Sequence, residues 1–106
     1  MKVRFQADAD FNEIILRAVL RREPAIDFQS ALAANLPGRL DPEVLAISAT
    51  AGRLLVSHDR KSMPAHFAGF ITAQQSAGLL IVPQRLAVAR VVEDLILIWT
   101  ATEAEE

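Results

Sequence analysis

The chain has 106 residues, enough for one domain with one core and too few for two. Hydrophobic residues make up 52% of it and cysteine is absent, which excludes a disordered chain, a disulfide scaffold and any thiolate metal site. The formal net charge is −2, which weakly opposes a strong duplex binder. With the three tail acids Glu103, Glu105 and Glu106 set aside, the balance turns weakly basic, so charge neither demands nor excludes a nucleic-acid partner.

Residues 2–7 read as a first strand. Asn12 to Arg22 reads as a helix with Ile15, Ala18 and Val19 on one face, widened by Ile14, Leu16 and Leu20. Pro24 stops it. Ala25 to Phe28 reads as a short second strand. The alanines of Ser30 to Leu36 favour a helix, but Pro37-Gly38 ends whatever forms there. Asp41-Pro42 is a helix start, with Asp41 as the expected N-cap and Gly52 as a left-handed cap at the other end.

Arg53 to Ser57 is the next strand, and Pro64 starts a helix expected to reach about Ser76. Leu79 to Val82 is a fully apolar run, the pattern of a strand buried on both faces. In the last helix Val88, Val91, Val92, Leu95, Ile96 and Trp99 form one stripe, while Leu97 and Ile98 lie outside it. The domain spans residues 1–101, and an acidic tail follows over 102–106. Alternation of strands and helices predicts an α/β fold with a mainly parallel sheet of about four strands between helical layers.

The N-terminus does not read as a signal peptide. The N-terminus lacks a long apolar h-region, and no apolar stretch approaches the roughly 20 residues that span a bilayer. The expectation is a cytoplasmic protein.

Three aspartates carry the functional argument. Asp8 ends the first apolar run, Asp59 follows another, and Asp41 opens the helix between them. Ligands of parallel α/β sheets bind at the edge formed by strand C-termini. A helix returning between parallel strands starts at that same edge. The three carboxylates are therefore expected to converge, and converging carboxylates repel unless a hard divalent cation lies among them.

Plainer readings exist for each. Asp10 or Asn12 serves as N-cap of the first helix, Asp41 needs no purpose beyond capping, and Asp59 fits a polar turn in Ser57-His58-Asp59-Arg60-Lys61. Alternation points His58 away from Asp59, to packing or to the surface, while His66 lies early enough in its helix to approach the site. Arg60 and Lys61 are candidates to hold a substrate phosphate. No glycine-rich phosphate loop and no Gly-x-Ser-x-Gly nucleophile is present.

The segments Ala7-Asp8-Ala9-Asp10-Phe11-Asn12, Leu40-Asp41-Pro42-Glu43-Val44-Leu45, Gly52-Arg53-Leu54-Leu55-Val56-Ser57-His58-Asp59-Arg60 and Met63-Pro64-Ala65-His66-Phe67 together resemble the DUF5615 PIN-like family, in collinear order over nearly the whole chain. The resemblance implies a PIN-like three-layer fold and a ribonuclease of the toxin–antitoxin type, with single-stranded RNA as substrate and an antitoxin protein as partner. It implies Mg²⁺ or Mn²⁺ held by Asp8, Asp41 and Asp59, with Asp10 at a position often acidic in the family. The chain departs from the pattern at Lys61, where PIN nucleases commonly place a further acid, and at Ser57, where threonine is frequent.

Two other classes compete. A receiver-like phosphoacceptor domain wants a lysine at the end of the final strand, where this chain has Val82-Pro83-Gln84. A catalytically inactive interaction module would use Ile14, Leu97 and Ile98 as a homo-oligomer or antitoxin surface.

Overall fold

A computed structural model describes residues 2–104. The elements are β1 (Phe5–Ala7), α1 (Glu13–Arg22), β2 (Phe28–Gln29), α2 (Asp41–Thr50), β3 (Leu54–Ser57), α3 (Met63–Phe70), β4 (Leu79–Ile81) and α4 (Val88–Ala104). All strand pairs are parallel and the sheet order is β2-β1-β3-β4. The α/β class and the four-stranded parallel sheet expected from alternation are thus present.

Strand periodicity sends successive side chains to opposite faces, and two separate cores result. Phe5, Ala7, Val56 and Phe28 face one side, where α1 and α4 cover them with Ile15, Leu16, Val19, Val91, Val92 and Leu95. Leu55, with Leu79 and Ile81, faces the other side against Val44, Leu45, Leu36 and Met63 of the α2–α3 half. This is a three-layer α/β/α arrangement. The stripe of α4 from Val88 to Trp99 packs as the spacing predicts, and Ile98, expected outside it, also packs against the core. Leu97 and Ile14 stay exposed. The Lys2 ammonium sits 3.5 Å from the centre of the Trp99 ring.

Several boundaries differ from expectation. Strand β1 begins at Phe5 rather than at residue 2; Arg4, just before it, accepts the Leu54 N–H at 2.7 Å and extends its guanidinium to the Ala51 carbonyl at 2.7 Å. Strand β2 lies at Phe28–Gln29 rather than over 25–28, since the Ile26 N–H is spent on a turn to the Glu23 carbonyl. Ser30 to Leu36 forms successive turns, not a helix, with Asn35 left-handed at φ 59°. Helix α3 ends at Phe70 rather than near Ser76, and the Thr72 hydroxyl takes up the Gly69 carbonyl at 2.7 Å. The four-residue apolar run before Pro83 yields β4, which is covered on both faces but is an edge strand, so its side chains are only partly buried.

Helix α4 runs through Thr102 to Ala104, into the segment read as a tail, while Glu105 and Glu106 lie outside the described residues.

Gly52 carries the positive φ expected of it, +67°. A Cβ there would stand 2.7 Å from the Arg4 guanidinium. Gly52→Ala is therefore expected to cost about 1–3 kcal/mol, read as a lower urea midpoint at unchanged slope.

Candidate functional site

From β1 the chain crosses to β2 on one side, and from β2 it crosses back to β3 on the other side of β1. The strand order therefore reverses between β1 and β3, and a crevice opens beyond their C-terminal ends. Asp8 is the first residue after β1, and Asp59 follows β3 by two residues. Helix α2 leads into β3, so Asp41, its first residue, starts at the same edge.

Asp8 is 8% exposed. Its Oδ2 accepts the Ser57 hydroxyl at 2.7 Å and its Oδ1 accepts the Ala9 N–H at 2.8 Å. The register explains the first contact: Ala7 pairs with Val56, which places Asp8 beside Ser57. Elsewhere, Glu13, Asp27, Glu43 and Asp94 each have an arginine within ion-pair distance. Among the described residues Asp8, Asp10 and Asp59 have no lysine or arginine so placed. Burying a carboxylate with neutral donors alone is costly, and a nearby positive charge lowers that cost.

Ser57 is also a relay. Its Oγ accepts the Asp59 N–H at 3.0 Å while it donates to Asp8. Asp59 in turn closes an Asx-type turn, its Oδ1 accepting the N–H groups of Lys61 at 3.1 Å and Ser62 at 3.0 Å. Its Oδ2 accepts the Ser62 hydroxyl, whose oxygen also lies 3.5 Å from Asp41 Oδ2. Nε2 of His66, on the first turn of α3, is 3.8 Å from that same Asp41 oxygen. The polar-turn reading of Asp59 is therefore realised; its carboxylate lies with that of Asp41 about Ser62, whereas Asp8, paired with it in the sequence reading, is linked through Ser57 to the Asp59 N–H alone.

The capping reading of Asp41 is not. Leu40 is the N-cap, with its N–H donated to Glu43 Oε1 at 3.0 Å, and Asp41 is the first helical residue. Its carboxylate is spared from capping and still gains from the positive end of the helix dipole. Asn12, not Asp10, caps α1, its side chain accepting the Ile14 N–H at 2.9 Å.

The Ser62 hydroxyl, with the surrounding turn N–H groups, holds the Asp59 carboxyl below its ordinary value. The stability this linkage contributes is present above the ordinary carboxylate range and is lost as pH falls through the lowered value. In Ser62→Ala the Asp59 midpoint is expected to rise toward ordinary, measured by NMR titration of its carboxyl carbon. An unchanged midpoint would remove Ser62 from the account.

The other sequence candidates are placed differently. Asp10 is exposed and lines a cavity of about 230 Å³ with Asn12, His58, Gln84 and others, apart from the serine-linked set. His58 packs, as expected. Its Nε2 accepts the Asn12 N–H at 3.2 Å, its Nδ1 donates to the Val82 carbonyl at 2.8 Å, and its ring stacks on Phe11 with centroids 4.7 Å apart. Arg60 and Lys61 are both exposed, and Arg60 lines a concavity with His58, Pro83, Gln84 and Arg85.

The donor set suits a hard cation, since every candidate ligand atom is a carboxylate or hydroxyl oxygen. Among the described residues, however, no three His, Cys, Asp or Glu side chains stand close enough together to hold a metal ion. The acids form linked contacts instead, Asp8 through Ser57 and Asp59 with Asp41 through Ser62. Only Asp59 and Asp41 bring two carboxylates to one hydroxyl, and one or two carboxylates is the number that Mg²⁺ commonly takes from a protein when water and substrate phosphate fill its other positions.

Sequence reasoning did not find Ser62. Its only signal was Asp59-x-x-Ser62, an Asx-turn spacing that follows a strand end. Compared with protein-family models, curated proteins and solved structures, the chain has no match.

Proposed function

We propose that this chain is a PIN-like, divalent-cation-dependent ribonuclease, acting on single-stranded RNA as the toxin of a toxin–antitoxin pair. One observation carries the reading: at the switch-point edge the Asp59 and Asp41 carboxylates share the Ser62 hydroxyl, and Asp8 bonds Ser57, whose oxygen takes the Asp59 N–H, with no lysine or arginine ion-paired to any of them. Asp59 and Asp41 would hold the Mg²⁺ or Mn²⁺, and Asp8 would complete or orient its ligands through Ser57. Bound there, the cation supplies Lewis-acid polarisation of a phosphodiester oxygen and acidifies an attacking water. The lowered pKa of Asp59 keeps it ionised for this role at neutral and mildly acidic pH. Arg60 binds substrate phosphate, and Lys61 adds positive charge beside it.

No helix among the described residues is long and apolar enough to cross a membrane. A cytoplasmic setting accords with an RNA substrate. Exposed Ile14 and Leu97 are the places for an antitoxin or a second copy.

The test is cleavage of labelled single-stranded RNA with Mn²⁺, against the same reaction in EDTA. Cation-dependent cleavage is expected. No cleavage at excess protein, with no heat of Mn²⁺ binding at millimolar metal, would overturn the reading. A second reading, an inactive interaction module, is favoured by the absence of a three-ligand cluster among the described residues. It predicts that null result, together with a partner or self-association that Leu97→Asp abolishes.

A further inference from the structure

Strands β3 and β4 end side by side, with Ser57 paired to Ile81. The turns that leave them carry one arginine each, Arg60 after β3 and Arg85 after β4. Together with His58, Pro83 and Gln84 these arginines line an open concavity of about 170 Å³. Arg4, Arg17, Arg39, Arg53 and Arg90 each bond a carbonyl or a carboxylate. Arg60 and Arg85 have no hydrogen-bond or ion-pair partner among the described residues, although both face one hollow.

The walls of the hollow are fixed. Both His58 nitrogens are committed, to the Asn12 N–H and the Val82 carbonyl, and Phe11 backs the ring. Pro83 has a locked φ and no N–H to offer. The free donors are therefore the two guanidinium forks and the Gln84 carboxamide. Two arginines lining one hollow offer guanidinium forks suited to the oxygens of a phosphate group, in charge and in planar hydrogen-bonding geometry.

From this juxtaposition we infer that Arg60 and Arg85 form a cradle for a backbone phosphate of a single-stranded polynucleotide, beside the acidic edge. The inference deepens the ribonuclease reading and rests on it for the choice of a polynucleotide. Arg60 adjoins Asp59 in sequence, and Arg85 follows β4, so the cradle lies at the same C-terminal edge of the sheet as the acids. Arg60 shares the hollow with Arg85, a residue far along the chain that the parallel register brings alongside, while Lys61 adds its charge from outside that lining.

Binding of a short fluorescein-labelled single-stranded RNA, followed by anisotropy in EDTA across a salt series, tests the cradle without any need for cleavage. Both arginines are exposed, so Arg60→Ala and Arg85→Ala are expected to fold normally. Each is expected to lower the slope of log affinity against log salt by about 0.7, and the double variant to bind at least about tenfold more weakly. Arg22→Ala, the same charge change at the far end of α1, is expected to leave the slope unaltered.

Equal effects from all three variants would mean a general charge effect and overturn the cradle. So would an unchanged slope in Arg85→Ala, even where the protein cleaves RNA normally. Heat of binding from inorganic phosphate, without RNA binding, would place a free anion there and overturn the polynucleotide assignment. An arginine-dependent slope in a protein that never cleaves RNA upholds the cradle, and only the ribonuclease reading falls.

Discussion

Asp8→Asn is expected to lower Mn²⁺-dependent cleavage of single-stranded RNA by on the order of a hundredfold or more. The substitution nearly preserves shape. It removes the negative charge from the most buried of the three edge acids and replaces one acceptor oxygen with a donor. The remaining oxygen can accept from Ser57 or from the Ala9 N–H, but not in the same way from both. A loss of about 1–2 kcal/mol in stability is therefore expected beside the catalytic loss. Activity must be compared at a temperature where urea melts show both proteins folded. Cleavage at the wild-type rate under those conditions would remove Asp8 from the chemistry.

Ser57→Ala separates orientation from charge. It deletes the hydroxyl that donates to Asp8 and accepts from Asp59 while leaving every carboxylate in place. If the acids act through a shared cation, its removal loosens their geometry and costs roughly tenfold to a hundredfold, less than Asp8→Asn. A loss in Ser57→Ala that equals the loss in Asp8→Asn would point to unfolding of the edge rather than to lost charge.

The edge was legible from sequence because two rules act together. An apolar run that stops at an aspartate marks a strand end, and a parallel fold puts all strand ends of one kind on one rim. That logic puts Asp8, Asp59 and Asp41 on one rim without any knowledge of sheet order, but it also expects their carboxylates to converge, and among the described residues no three such side chains stand close enough to hold a metal ion. Asp41 lies at that edge as the first residue of α2, while the capping role read for it falls to Leu40. What was not legible depends on register or on turn geometry. Ser57 faces Asp8 only because Ala7 pairs with Val56, and a shift by one residue would turn it to the other core. Ser62 reaches Asp59 and Asp41 only once the Asx turn has closed. Arg85 meets Arg60 only because β4 lies next to β3, which no local pattern encodes. Gln6 is a similar case: a buried polar residue in β1 whose amide donates to the carbonyls of Ala7 and Ser30, at 2.9 and 3.2 Å, where the chain leaves β2.

Phe5→Ala carries the largest expected effect on stability. Phe5 is fully buried in β1, an inner strand, with its ring 5.3 Å from that of Phe28. Truncation at such a site costs about 3–5 kcal/mol, from lost burial plus the cavity left behind. A domain of this size holds only about 5–15 kcal/mol in total, so the thermal midpoint should fall by roughly 15 °C or more. Ile14→Ala, on the same side of the sheet but 62% exposed, should change stability by no more than about 0.5 kcal/mol. Both residues are large and apolar and look alike in sequence, so the contrast tests where the sheet lies and not hydrophobicity alone. Phe5 lies three residues before Asp8 on the strand that carries it to the edge. A folded fraction of Phe5→Ala, held well below its midpoint, should nonetheless bind Mn²⁺ as the parent does, because the edge contacts run through Ser57 and Ser62 rather than through the ring. Equal melting of the two variants would mean that β1 is not the inner strand, and the rim on which the acids meet would lose its foundation.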